Sequence, residues 1–169
     1  MFRKAVLAIF VASILGGCAS VPMESKEASA QAKRFEVPAD GNAGLYVYRD
    51  SIVGQALKKD IWVNDDCLGE SASGVFFYRQ LPGDEKYTIS TESEFSPNSL
   101  SLLLERGKNY FVRQYIKLGV FVGGADLEVV EPEKAKTNIS KLELAKSGTC
   151  SGPLKDPADS NASDSKKPA

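Results

Sequence analysis

The chain has 169 residues, of which 43% are hydrophobic and 25% charged; these proportions suit one soluble domain and exclude repeat arrays and multispanning membrane proteins. Its 21 basic and 22 acidic side chains give a net charge of -1, so no global basic field exists to attract nucleic acid. Histidine is absent, which excludes Ser-His-Asp and Cys-His catalysis and histidine metal sites. We therefore predict no catalytic residue, no bound metal and no cofactor.

The first eighteen residues have the pattern of a secretory signal. Residues 1–4 are cationic, and residues 5–15 form an apolar run that is too short to span about 30 Å of hydrocarbon as a helix. The run closes with Leu15-Gly16-Gly17-Cys18, which resembles a bacterial lipobox. The resemblance implies that residues 1–17 are removed by signal peptidase II and that acyl chains on Cys18 anchor the protein to a membrane. An ordinary secretory signal that happens to contain Cys18 is the alternative.

The residues after Cys18 predict a location and a tether. In lipoproteins of enterobacterial type an aspartate after the acylated cysteine favours retention in the inner membrane, and Ala19 stands there instead. Ala19 at this position resembles the pattern of lipoproteins that are sorted to the outer membrane and anchored on its periplasmic side. Residues 18–42 are rich in Ala, Ser, Lys and Glu without sustained apolar periodicity, so we predict a lipidated N-terminus followed by a flexible tether.

Residues 43–150 are predicted to form the folded domain, followed by a disordered tail over residues 151–169. Short segments with period-two alternation or apolar runs, separated by Gly, Pro, Asn and Asp, predict about seven strands. These strands cover residues 45–49, 60–64, 75–80, 87–92, 99–105, 110–118 and 126–130. Short strands at this spacing predict a mainly β fold, either a small antiparallel β-sandwich or a partly open barrel.

A different pattern begins at Glu131-Pro132. Proline suits a first helical turn, and Ala135, Ile139 and Leu142 recur at helical spacing. We therefore predict one C-terminal helix that runs to about residue 146 and covers an open edge or end of the sheet. The alternative is a final strand over residues 139–144.

Two cysteines remain once Cys18 is acylated. Cys67 and Cys150 form an even pair, and in an oxidising compartment such a pair favours an intramolecular disulfide. The bridge would join the end of the predicted helix to the turn after the second predicted strand. Two free thiols, or a bridge to another chain, are the alternatives.

Five aromatic side chains are the candidates for a ligand-binding face. They could bind a sugar or a peptide if they were exposed together, although aromatic residues in strands more often pack in a core. The five are Tyr46, Tyr48, Trp62, Tyr78 and Tyr115.

Charged residues supply two further candidate groups, both weak. Asp65-Asp66 with Glu70 is more typical of a solvated turn than of a metal or acid–base cluster. Three arginines could form an anion site only if their separate strands became neighbours. They are Arg49, Arg79 and Arg113.

Four segments resemble the bacterial lipoprotein family catalogued as domain of unknown function 2846, over residues 43 to about 145. They are residues 44–49 (Gly-Leu-Tyr-Val-Tyr-Arg), residues 61–65 (Ile-Trp-Val-Asn-Asp) with Leu68-Gly69, residues 76–78 (Phe-Phe-Tyr) before Leu81-Pro82-Gly83, and residues 107–112 (Gly-Lys-Asn-Tyr-Phe-Val). The central part also resembles PEGA-type β modules but departs from them at Asp66-Cys67, where their glycine is missing. Neither resemblance implies an activity, a cofactor or a catalytic residue.

These observations favour a non-enzymatic, lipid-anchored β domain on the periplasmic side of the outer membrane. It would act as an interaction or envelope-structural module, with the membrane and a protein of the cell envelope as partners. A small-ligand binding lipoprotein that uses the aromatic face is the alternative. An enzyme built on two carboxylates is a third interpretation, and it would need a cleft that a small sandwich rarely has.

Overall fold

The computed structural model describes residues 20–93, 97–117 and 123–154. The signal peptide over residues 1–17, Cys18 and most of the predicted tail lie outside the described residues. Within those residues the chain forms two helices and nine strands. In chain order they are α1 (Lys26–Ala32), β1 (Asn42–Arg49), β2 (Lys59–Val63), β3 (Asp66–Ser71), β4 (Val75–Pro82), β5 (Glu85–Thr91), β6 (Asn98–Leu104), β7 (Asn109–Lys117), β8 (Gly124–Val129), α2 (Pro132–Ile139) and β9 (Glu143–Leu144).

The strands form two sheets that pack as a sandwich, which confirms the predicted fold class. One sheet has the order β8-β7-β1-β4-β9 and the other has the order β3-β2-β5-β6. Most neighbours are antiparallel, but β7 pairs with β1, and β9 with β4, in parallel. The first parallel pair arises because the chain crosses between the sheets after β6 and enters β7 beside the start of β1, where the Gly107 amide donates to the Asn42 carbonyl (2.7 Å).

Two apolar layers cover the five-stranded sheet on both faces. One lies between the sheets and includes Leu45 and Val47 of β1. The other lies between the five-stranded sheet and the two helices, and it includes Tyr46 and Tyr48 of the same strand. Residues 43–49 are consequently all buried, as expected for a central strand that is covered on both sides. In β6 the predicted alternation is confirmed, because the even-numbered leucines face the core while Ser101 and Leu103 are exposed.

The sequence did not predict β3. Asn64 adopts a left-handed conformation (φ 54°) and turns the chain, so that β3 returns antiparallel to β2, from Val63 beside Asp66 to Lys59 beside Ser71. The segment was missed because Leu68 is its one large apolar side chain. Its strand conformation is set by pairing with β2 and not by local propensity.

The C-terminal region combines both interpretations of the sequence. The helix is confirmed over Pro132–Ile139 and is capped by the Glu131 carboxylate, which accepts from the amides of Glu133 and Lys134 (3.1 Å each). It ends earlier than expected, and Glu143–Leu144 form the short strand β9 beside β4. Ile139 and Leu142 are both buried, as their apolar spacing predicted. Ile139 is the last residue of the helix, however, and Leu142 lies in the turn that follows it.

The expectation of a flexible tether over residues 18–42 is wrong for the part that the structure describes. Residues 20–42 pack on the domain, and Val21 is 8% exposed within the layer between the sheets. Helix α1 follows, with the Ser25 hydroxyl accepting from the Ala28 amide at its N-terminus (3.1 Å). Its buried residues are Ser29 and Ala32, so small side chains pack where the sequence lacks an apolar pattern.

Glu143 fastens α1 to the strand next to it. The Ser29 hydroxyl donates to Glu143 Oε2 (2.9 Å), and the Lys33 ammonium donates to Oε1 (3.3 Å). These contacts, that of Ser29 first, lower the pKa of Glu143, although its partial burial acts in the opposite direction. The N-terminal segment is therefore held by groups more than a hundred residues away.

Candidate functional site

The five candidate aromatic residues do not form an open face. Alternation along the strands puts four of them on the helix-covered side of the five-stranded sheet, and Trp62 lies in the other sheet. Tyr46 and Tyr48 are each 1% exposed and Trp62 is 3% exposed, so the predicted ligand face is wrong for these three. Tyr78 and Tyr115 are half-buried. The physical reason for Tyr46, Tyr48 and Tyr78 is that α1 and α2, drawn from distant parts of the chain, cover them.

Tyr46 instead fastens helix α1 to the sheet. Its hydroxyl donates to the carbonyl of Ala32, the last residue of α1 (2.9 Å). Its ring stacks on Tyr78 with centroids 4.4 Å apart and on Phe111 at 5.1 Å. Burial is the main cause that raises the pKa of Tyr46. Tyr46 is thus a neutral, hydrogen-bonded and stacked side chain that stabilises the structure.

The three arginines occupy separate places, so they form no common anion site. Arg49 points into the sandwich, Arg79 donates to the Cys67 carbonyl (3.0 Å), and Arg113 forms ion pairs with Asp50 (2.7 Å) and Glu128 (3.0 Å). Their separation agrees with the sequence, which places the three arginines in different predicted strands.

Arg49 is fully buried and holds the loop between β1 and β2. Its guanidinium donates to the carbonyls of Leu57 (2.9 Å) and Gly54 (2.5 Å), while Nε has no partner among the described residues. Burial lowers the pKa of Arg49. The loop it holds carries Ile52 and Val53 at its exposed tip. Hydrogen bonds to two carbonyls make Arg49 a positioning residue for this loop.

A chain of buried polar side chains joins the two sheets near Arg49. The Ser71 hydroxyl donates to Gln114 Oε1, Gln114 Nε2 donates to the Thr91 hydroxyl (2.6 Å), and that hydroxyl donates to the Asp60 carbonyl (2.9 Å). Sequence reasoning missed this chain. The available signal was Gln114, which stands at an inward position of the β7 alternation between Val112 and Ile116. This series of hydrogen bonds fixes the register of the sheets, and it contains no pair of a nucleophile with a general base.

The acidic residues of the turn region do not form a metal centre. Asp65 and Asp66 are exposed in and after the turn, and Glu70 forms an ion pair with Lys58 (3.1 Å). Across residues 20–93, 97–117 and 123–154 no group of three or more cysteines and acidic residues is arranged to hold a metal ion. The solvated-turn interpretation fits this arrangement.

Cys67 and Cys150 lie side by side, with their Cα atoms 6.1 Å apart and their sulfur atoms at bonding distance. The geometry therefore permits the predicted disulfide. Cys150 belongs to a segment over residues 147–151, here called the strap, which runs along β3. The Gly148 amide donates to the Leu68 carbonyl (3.0 Å), and the Glu70 amide donates to the Thr149 carbonyl (2.7 Å).

The strap ends on a buried carboxylate that sequence reasoning also missed. The amide and the hydroxyl of Ser151 both donate to Asp60 Oδ2, at 2.7 and 2.6 Å. Asp60 is 1% exposed at the start of β2. The strap thus closes the side of the sandwich where β3 and β9 are the outer strands.

Within residues 20–93, 97–117 and 123–154, the opposite side of the sandwich is less covered. There β6 and β8 are the outer strands of their sheets, and the Asn98 amide group donates to the Ala125 carbonyl (2.6 Å) at one end. Towards the other end Leu103 is 57% exposed and Val129 is 52% exposed. Strand β6 has the sequence Asn-Ser-Leu-Ser-Leu-Leu-Leu, with no charge, proline or glycine. We call this outer strand the β6 edge.

In the described part of the chain, no helix is both long and apolar enough to cross a membrane.

Comparisons with known proteins agree with the sequence resemblance. The family model described as a protein of unknown function (DUF2846) matches residues 39–125. An uncharacterized protein of Haemophilus influenzae is 54% identical over 145 residues, which cover 86% of this chain and 85% of that protein. No solved structure matches the chain.

Proposed function

The chain belongs to the DUF2846 family of proteins of unknown function, and we propose that it is a lipid-anchored, non-enzymatic β domain that pairs its β6 edge with a strand of another envelope protein. The proposed location is the periplasmic side of a bacterial outer membrane. The anchor is Cys18 of the lipobox. Ala19, the residue after it, supports a location in the outer membrane. Anchoring brings the domain to a surface where it acts by binding.

The observation that carries the binding role is the composition of the β6 edge. An outer strand presents unpaired amides and carbonyls, and proteins usually protect such strands with charges, proline, bulges or a covering segment. The β6 edge has seven residues without charge or proline, and among the described residues its main chain pairs with β5 alone. An extended partner segment could add to the sheet there, with main-chain hydrogen bonds giving affinity and exposed Leu103 giving an apolar contact.

The side of the sandwich that carries β3 contrasts with this edge and supports the assignment. There the strap hydrogen-bonds to β3 and the Cys67–Cys150 pair holds it in place. One side of the sandwich is thus covered by the chain itself, whereas no segment among the described residues covers the β6 edge.

A non-enzymatic role is supported by the chemistry of the side chains. The whole sequence lacks histidine, the central tyrosines are buried, and the polar chain between the sheets is occupied by its own hydrogen bonds. These groups stabilise the domain.

The anchor is tested by the Cys18→Ala variant together with intact mass analysis. The native mature protein should begin at Cys18, carry acyl chains and fractionate with the outer membrane, whereas the variant should be uncleaved or soluble. A variant that still fractionates with detergent-extractable outer membrane at the mature size would disprove the lipoprotein proposal. Acylated protein in the inner membrane would correct the location alone.

The partner edge is tested by photo-crosslinking in cells with a photoreactive residue at Leu103. We expect one adduct of defined mass, which Ser101→Lys should abolish, because a lysine on an outer strand opposes pairing. Thr88→Lys is the matched control, since Thr88 lies beside Ser101 on the same sheet face but one strand further in. The adduct from position 103 should persist in the Thr88→Lys variant. No adduct in folded, anchored protein, or an adduct of twice the monomer mass, would contradict a separate protein partner.

A further inference from the structure

The first described residues of the chain are part of the folded domain. The Lys146 amide donates to the Pro22 carbonyl and the Glu24 amide donates to the Leu144 carbonyl, both at 2.9 Å. Met23 forms an antiparallel bridge with Ala145. Residues 22–24 therefore extend the five-stranded sheet beyond β9. We call residues 20–24 with residues 145–148 the N-terminal edge.

The length of chain between Cys18 and this edge is fixed by covalent geometry. An extended chain covers at most about 3.3–3.6 Å per residue, so the Cα atoms of Cys18 and Ser20 are no more than about 7 Å apart. Val21, which is 8% exposed in the core, is at most about 11 Å from Cys18 by the same limit. A free tether over all of residues 18–42 would instead reach about 80 Å when extended.

An acyl chain on Cys18 lies in the hydrocarbon of the bilayer, so Cys18 itself is held at the level of the headgroups. We propose that the mature domain rests directly on the bilayer, with its N-terminal edge against the lipid headgroups. This inference rests on the proposed acylation of Cys18. The occupant of the N-terminal edge is thus a lipid surface, and no spacer lies between the anchor and the fold.

The same arrangement sets the direction of the β6 edge. Strand β8 is four strands from β9 in the five-stranded sheet, and neighbouring strands are about 4.8 Å apart, so the two sides lie about 19 Å apart. Strand β6 stands on the same side as β8, joined to it through Asn98 and Ala125. The β6 edge therefore points away from the bilayer.

The experiment uses the mature acylated protein, with the whole chain from Cys18 onward, in vesicles of phosphatidylethanolamine with phosphatidylglycerol. A photoreactive residue is placed at Met23 or at Lys146, two exposed positions of the N-terminal edge, and at Leu103 for comparison. We expect about tenfold more lipid adduct at either N-terminal position than at Leu103, because cross-linking needs contact and the β6 edge lies about 19 Å away. Two N-terminal positions are used so that a folding defect at one leaves the other informative.

A spacer variant separates orientation from anchoring. About twelve Gly and Ser residues inserted between Ala19 and Ser20 have a root-mean-square length of about 19 Å, enough to let the domain leave the surface. The spacer variant should stay acylated and membrane-bound, while its lipid adducts at Met23 and Lys146 fall to the Leu103 level. The same spacer inserted after Leu154 should change nothing.

The outcomes distinguish the two proposals. Equal lipid adducts at all positions, or a spacer without effect, in protein whose mass shows acylation would overturn the inference and leave the anchor intact. A mass without acyl groups would overturn both.

Discussion

Loss of the Cys67–Cys150 bridge should cost the domain a large part of its stability. The cysteines are separated by 83 residues, and closing a loop of that length stabilises the native state by about 4.5 kcal/mol in the chain-entropy model. Domains of this kind have a total stability of about 5–15 kcal/mol, so the double variant Cys67→Ala/Cys150→Ala should remain folded but only marginally. The strap would then depend on its hydrogen bonds to Leu68, Glu70 and Asp60.

Urea unfolding of the oxidised protein, the reduced protein and the double variant measures this effect. The reduced protein and the variant should unfold at the same lower midpoint, and reductant should leave the variant unchanged. The dependence of the unfolding free energy on urea should be steeper without the bridge, because the unfolded chain then exposes more surface. Mass analysis should find the oxidised protein lighter than its reduced form by two hydrogen atoms. Two alkylatable thiols in the native protein, a covalent dimer, or equal midpoints would refute this reasoning.

Three further predictions concern the segments that pack on the sheet. Deletion of residues 20–41 should destabilise the domain by at least about 2 kcal/mol and increase binding of a hydrophobic dye, because burial of one large aliphatic side chain alone contributes about 1.5–3 kcal/mol; an unchanged urea midpoint would contradict this. Gly44→Ala should cost about 1–3 kcal/mol by overpacking, since a β-carbon there would overlap Asn109 Oδ1. A β-carbon at Gly152 would have no atom within 4 Å, so Gly152→Ala should unfold like the native protein in a thermal melt. The Ser29 hydroxyl of α1 donates a hydrogen bond to Glu143 and lowers the pKa of that carboxylate. The stabilisation from this hydrogen bond is therefore present above the ordinary glutamate pKa of about 4.3 and is lost as the pH falls through the lowered value. Hydrogen-exchange protection of the α1 amides, corrected for the intrinsic pH dependence of exchange, should fall on acidification in the native protein but much less in Glu143→Gln.

The strands were predictable because their signal is local. Alternation and turn residues located seven of the nine described strands within a few residues of their bounds, as for β6 and β7. The two remaining strands have few large apolar side chains and gain their conformation from a neighbour: β3 was not predicted, and β9 was included only in the alternative of a final strand over residues 139–144. A single sequence contains no local record of which neighbour that is.

The candidate aromatic face failed for a related reason. The pattern Leu-Tyr-Val-Tyr-Arg at residues 45–49 shows that the tyrosines share one side of a strand, and this is true in the structure. It does not show that the side is covered. The cover comes from α1, whose buried residues Ser29 and Ala32 are too small to produce an apolar periodicity, and from α2 at the far end of the domain. Asp60 was missed likewise, because its partner Ser151 is 91 residues away.

The pairing of residues 22–24 with residues 144–146 has a consequence for the order in which the domain can fold. A chain synthesised from its N-terminus delivers residues 144–151 after every other described element, and until they arrive residues 22–24 are unpaired and β3 and β4 each lack one neighbour. Contacts between residues so distant in sequence form slowly, because loop closure must precede them. The same requirement delays completion of the sheet while residues are still being synthesised. The five-stranded sheet and the covering of β3 are therefore completed only after β9 and the strap have been made.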